Sequence, residues 1–166
     1  MNPARETETF ASVTLGIDNE RWAGVPFTLR SGKALARDRR VIVVHFRQVP
    51  CWPFEATAAA PRPNALRFEL NPDRLALDVN INGPGDPFDV EPIQLERVLA
   101  THELTAYARL LLDVLAGDPI LSIRADEAEE SWRIIEPIRE ARRAGAVRLR
   151  EHPAGCEDPA ALGAPR

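Results

Sequence analysis

One lysine in this sequence stands where a charge can be held still. Lys33 directly follows Gly32, at a turn that closes the strand-like run Phe27 to Arg30. An ammonium on a flexible stem, rooted in a glycine turn, is a compact way to hold a phosphate dianion. Arg37, Arg39 and Arg40 surround Asp38 a few residues on. They either extend an anion site or form a partly self-neutralised polar loop, and spacing alone leaves both readings open, as it leaves open a merely solvated Lys33.

Other chemistries find less support. His45, His102 and His152 are scattered singly, with no carboxylate or thiol at a spacing that makes a nucleophile and base, so each reads as structural or solvated. Cys51 and Cys156 have no metal-like spacing and read as free thiols of a reducing compartment, the cytoplasm. The acidic group Asp126, Glu127, Glu129 and Glu130 fits the start of a helix, with Asp126 and Glu129 at capping-box spacing, and needs no cation. "NGPGDP", Asn82 to Pro87, is half of a phosphate loop at most, because its prolines lack donors. A formal net charge of −4 removes the basic footprint a nucleic-acid binder needs. No segment approaches the roughly 20 apolar residues of a membrane span, and the opening MNPARETETF is no signal peptide.

The elements that must position Lys33 follow from periodicity. Ala11, Val13, Leu15 and Ile17 alternate with Ser12, Thr14 and Gly16, a strand with one buried face. Pro26 imposes extended geometry on the next run, which stops at Ser31-Gly32. Val41 to Phe46 is apolar at nearly every position and predicts a central strand covered on both sides. Leu66, Phe68 and Leu70 alternate with charges, Asn71-Pro72-Asp73 makes a hairpin turn, and Leu75, Leu77, Val79 and Ile81 continue the pattern. Val49 to Asn64 lacks periodicity and reads as an irregular connection, while Phe88 to Val90 reads as strand. The period then changes. Leu104, Tyr107, Leu111 and Val114 share one side of a helix ending before Gly117, and a second helix starts near Asp126, with Ala128, Trp132 and Ile135 as its apolar side, a kink expected at Pro137 and arginines in its last turn. Strands followed by helices, without alternation, predict one α+β domain of 166 residues, an antiparallel sheet with helices packed on one face. The other face needs a partner.

The stretch "DNERWAGVPFTLRSGKAL", Asp18 to Leu35, resembles the segment of glucose-6-phosphate dehydrogenase in which an aromatic-rich run leads into a glycine-lysine turn. "ETFASVTLGIDNERW", "TAYARLLLDVLAGD" and "RADEAEESWRIIEPI" resemble the same family's C-terminal domain, in its order and at roughly its separations, and "HPAG" at His152 echoes its ending. These stretches cover most of the chain from Glu8 to Ile138.

The resemblance implies a partial C-terminal domain over residues 1–148, with 149–166 a poorly ordered tail, and a sheet whose free face makes a homodimer. It implies that Lys33 helps hold the phosphate of glucose 6-phosphate, with Arg37 and Arg39 as flanking candidates. A second basic residue, common in the family five positions after the lysine, is Asp38 here. Some relatives carry a structural NADP on this domain. Arg39 could match one of its contacts, but Val43 and Glu69 replace basic ones, so none is expected on this chain. The family's NADP-binding domain and the helix with its catalytic histidine have no counterpart in these residues, which implies a chain silent by itself. It would then be a truncated product, one part of a split NADP-dependent dehydrogenase of the pentose phosphate pathway that needs a separate cofactor-domain chain, or a non-catalytic dimerising module.

Overall fold

Alternating side chains from Phe10 onward do form a strand. In a computed structural model of the chain, described over residues 7–48, 61–70, 72–85, 90–100, 104–147 and 149–160, the elements run β1 (Phe10–Gly16), β2 (Pro26–Gly32), β3 (Val41–His45), β4 (Ala65–Leu70), β5 (Asp73–Asn82), β6 (Val90–Val98), α1 (Ala106–Ala116) and α2 (Ala125–Arg143). Cys51, His102 and the last two residues of "NGPGDP" lie outside the described residues.

The architecture is α+β with antiparallel pairing, divided between two sheets and two units. One unit comprises Met1–Asp38 and Asp113–Arg166, the other Arg39–Leu112. In the first, β1 and β2 pair from Phe10 opposite Gly32 to Gly16 opposite Pro26. Their connection is set by Asn19, whose side chain and carbonyl accept the N–H groups of Trp22 (2.9 Å) and Ala23 (2.9 Å), so the chain turns before Pro26 resumes it as strand. Trp22 then meets Phe27 edge to face at 5.4 Å.

In the second unit β3, β4, β5 and β6 form a four-stranded meander. Directly paired residues share a face, so the register sorts the side chains. Val44, Leu66, Leu77 and Leu95 form one row across all four strands, and Ile42, Phe68 and Leu75 a second beside it. The opposite face is polar. Arg67 pairs with Asp78 (2.5 Å), and Arg74 with Glu69 (2.6 Å) and Glu96 (3.3 Å). Ala65 and Ala76, the only buried apolar residues among those described, lie across from Asp78 and Arg67 on this face.

Two expectations require correction. The apolar run Val41 to His45 is an edge strand with exposed side chains, because the meander ends there and no further described strand pairs with it. The helix start is capped by Glu127, which accepts the N–H of Arg124 at 3.0 Å, whereas Asp126 accepts from Glu127 N–H and pairs with Arg124. Helix α2 begins at Ala125, and that start puts Glu127 at the third helical position, from which a carboxylate reaches back. The stretch after Arg150 has no periodicity, yet residues 152–158 bond to the β2 turn, as described below.

Both helices end as their glycines dictate. Gly117 (φ 71°) and Gly145 (φ 72°) are left-handed, and paired bonds (Asp118 N–H to Asp113 O and Gly117 N–H to Val114 O; Ala146 N–H to Ala141 O and Gly145 N–H to Arg142 O) close two Schellman motifs. Helix α2 runs on through Pro137 to Arg143. Its last turn is tied by Arg142 to Glu8 (2.6 Å), ahead of β1, but it makes no broad contact with the hairpin, and Trp132 stays exposed. Tyr107, Leu111 and Val114 on α1 are likewise exposed.

Candidate functional site

Gly32 ends β2 because of what stands over it. A Cβ built there would lie 2.8 Å from the Phe10 ring and 3.0 Å from a Leu35 methyl, so only glycine lets both side chains close across the turn. Lys33 follows, and its N–H donates to Thr9 O at 2.7 Å, which extends the β1–β2 ladder by one bond. Ala34 then adopts φ 55°, the left-handed region, the one non-glycine among the described residues to do so. A backbone that reverses there throws the Lys33 side chain outward. It is exposed, and among the described residues its ammonium has no acidic partner. A shallow cleft lined by Glu8, Thr9, Phe10, Ala11, Ser31, Gly32 and Lys33 lies alongside.

The turn is closed from its far side by the C-terminal stretch. Gly155 N–H donates to Ala34 O (2.8 Å), Ala36 N–H donates to Cys156 O (3.1 Å), and Leu35 and Cys156 form a parallel bridge. Arg37 pairs with Glu157 (3.4 Å) and Arg30 with Asp158 (3.3 Å), both pairs exposed and therefore weak. His152 meets Thr9 Oγ1 through Nε2 (3.2 Å) and the Phe10 ring edge to face at 6.3 Å, the structural role read from its isolation in the sequence. Sequence reasoning found the echo in "HPAG" and the isolation of His152 but missed the bonds from this stretch to the turn, for which Gly155, whose φ is 79°, and the prolines around it were the local signals.

Of the predicted binding residues, Lys33 and Arg37 fall in the same unit, four positions apart on one turn, while Arg39 opens the other unit. Asp38 stands between them. Beyond the turn, Glu69 is engaged by Arg74, which is held more firmly charged by that carboxylate and by Glu96. Gln94, with Arg67 behind it, holds the Asp78 carboxyl below the usual carboxylate range. These pairs stiffen the sheet rather than poise a group for proton transfer. Among the described residues no group of histidines, cysteines and carboxylates could hold a metal ion, and no helix is long and apolar enough to cross a membrane.

Comparison with known proteins meets this geometry. The family described as "Glucose-6-phosphate dehydrogenase, C-terminal domain" matches residues 1–164. Glucose-6-phosphate 1-dehydrogenase of Mycolicibacterium smegmatis is 39% identical over 164 residues, 95% of this chain and 33% of the relative. That of Treponema pallidum is 38% identical over 168 residues, 97% of this chain and 33% of the relative. The chain thus spans about a third of the length of these relatives. Among solved structures, glucose-6-phosphate 1-dehydrogenase from Mycobacterium avium superposes with a TM-score of 0.76 at 31% identity, covering 93% of this chain and 33% of that one. A glucose-6-phosphate dehydrogenase solved in complex with its substrate glucose-6-phosphate gives 0.79 at 29% identity, covering 93% and 32%.

Proposed function

Because the chain belongs to the family of glucose-6-phosphate dehydrogenase C-terminal domains, we propose that it is the substrate-holding and self-associating portion of such an enzyme, with Lys33 as the cation that meets the sugar phosphate. The observation that carries this reading is the turn itself. Lys33 has a fixed backbone, bonded at its N–H and followed by a left-handed residue, and an exposed ammonium with no carboxylate among the described residues to neutralise it. A point charge held this way loses little freedom on meeting a phosphate, and a charge-assisted contact is worth about 1.5–3 kcal/mol. Arg37 and Arg39 are secondary candidates, Arg37 the weaker because Glu157 competes for it.

Oxidation of glucose 6-phosphate to 6-phosphogluconolactone needs a hydride acceptor, NADP, and a base, held with the sugar in near-attack geometry. The described residues offer the sugar-phosphate contact and neither of the others, so the chain acts on the reaction only together with groups that bind NADP and supply the base. The test is titration of the chain with glucose 6-phosphate, followed by NMR, beside an assay for NADPH formation. Binding that Lys33→Ala weakens by about tenfold or more, with no NADPH formed, supports the reading. Equal binding by Lys33→Ala removes Lys33 from it, and NADPH formed by the chain alone overturns its dependence on a partner.

A second reading, a non-catalytic dimerising module, draws on one specific feature. Leu95 is 56% and Ile42 55% exposed on the apolar face of the four-stranded sheet. Such a face seeks a partner whether or not catalysis survives.

A further inference from the structure

We infer that the segment Pro153–Asp158 positions the turn of Lys33, and that the sugar-phosphate affinity of the chain depends on it; the inference rests on the role proposed above for Lys33. The turn needs outside support because of its own backbone. A non-glycine residue at φ 55° is disfavoured and persists where its surroundings over-determine it. Thr9 fixes only the entry, through Lys33 N–H. The C-terminal segment fixes the backbone just after Lys33: the carbonyl of the left-handed Ala34 accepts from Gly155, and the N–H of Ala36 is taken by Cys156 O. Glu157 and Asp158 then clasp Arg37 and Arg30, one on each side of the lysine.

The segment is itself shaped for this. Pro153 O accepts from Cys156 N–H at 3.2 Å, a β-turn whose third residue, Gly155, has φ 79°, and that turn presents the Gly155 N–H and the Cys156 carbonyl side by side. His152 pins its near end against Thr9 and Phe10, the same stretch that meets Lys33 from the other direction. Lys33 therefore has its backbone held between two strands of chain that lie at opposite ends of the sequence, and its side chain alone is left to move. Without the C-terminal segment, Ala34 relaxes toward ordinary backbone angles and the ammonium samples directions away from the cleft.

The test is made in the full chain at Gly155, where an added Cβ meets no neighbour within 4 Å, so that only backbone conformation is challenged. Gly155→Val forbids the left-handed turn and Gly155→Asn tolerates it. Amide hydrogen exchange at Lys33 and Ala36 reads the turn directly, and titration with glucose 6-phosphate reads its consequence. Expected are exchange at least tenfold faster at Ala36 and affinity reduced at least fivefold in Gly155→Val, both restored in Gly155→Asn, with circular dichroism unchanged. Unchanged exchange in Gly155→Val overturns the inference, as does faster exchange with unchanged affinity. If Gly155→Val unfolds, Gly155→Ala, a milder challenge to the same left-handed turn, replaces it, and unchanged exchange at Ala36, or faster exchange with equal affinity, overturns the inference. An intact chain that does not bind glucose 6-phosphate defeats the phosphate role of Lys33 itself, a failure separate from an intact chain whose binding ignores Gly155.

Discussion

At the scale of single residues, the turn holds two opposed tendencies. Gly32 is glycine for want of space and Ala34 is alanine where glycine is favoured. Relief and injury can therefore be separated. Gly32→Ala drives a methyl into Phe10 and Leu35 and should lower stability by about 1–3 kcal/mol, the usual cost of overpacking, which a thermal melt reads directly. Ala34→Gly removes a left-handed penalty and should raise stability by up to about 1 kcal/mol. It should also leave Lys33 less firmly aimed, so that sugar-phosphate affinity falls while the melting temperature rises. A variant that gained both would mean that the conformation of Ala34 does not matter for binding.

At the scale of elements, what was legible was whatever repeats. Period-two alternation gave β1, β4 and β5 nearly to their ends, Gly117 marked the stop of α1 and the last-turn arginines that of α2, because these signals are local. Three things were not local. The apolar run of β3 shows only that it shuns water, and whether another strand lies beyond it depends on the whole topology. Glu127 and Glu129 have equal chemistry, and only the true start of α2 decides which one caps it. The hold of residues 152–158 on the Lys33 turn is made mostly by backbone groups, which carry no sequence signature at all. Lys33 itself was legible as a charge on a turn, but its phosphate role came from resemblance, since a solvated lysine has the same spacing.

Charge pairing makes a further prediction at this scale. Asp78 is held below the usual carboxylate range by Gln94 and Arg67, and Glu136 by Arg143 and Arg139. A carboxyl whose folded value is depressed contributes stability above its unfolded value and loses it as the pH falls through the folded one. Asp78→Asn should thus melt below the wild type near neutrality, and the gap should close below about pH 4, where unpaired carboxyls begin to take up protons. A gap that persisted unchanged into acid would assign the loss to the shape of the side chain, not to its charge. Added salt should shrink the gap at neutral pH too, because these groups are partly open to water.

For the whole molecule the question is how so little burial holds a fold. Among the described residues only Ala65 and Ala76 are buried apolar ones, while Phe68, Leu95, Leu111 and Ile123 stand open. Ordering each residue costs about 1–2 kcal/mol, and apolar burial must offset most of that. A chain that leaves its sheet rows exposed should therefore gain stability from another surface. The row Val44, Leu66, Leu77 and Leu95 is a flat apolar strip across the sheet, and a copy of itself related by a two-fold axis is self-complementary to it. If that copy is the partner, the melting temperature should rise with protein concentration, since association stabilises only the folded form. Leu95→Lys places a charge at the β6 end of the strip, on an edge strand, where the monomer tolerates it in water. It should abolish both the concentration dependence and the dimer peak in sedimentation while leaving glucose 6-phosphate binding at Lys33 intact. A chain that sediments as a monomer at every concentration, with a constant melting temperature, would assign the strip to a different polypeptide, and co-expression with a cofactor-binding dehydrogenase domain should then shift it into a heavier complex that Leu95→Lys prevents.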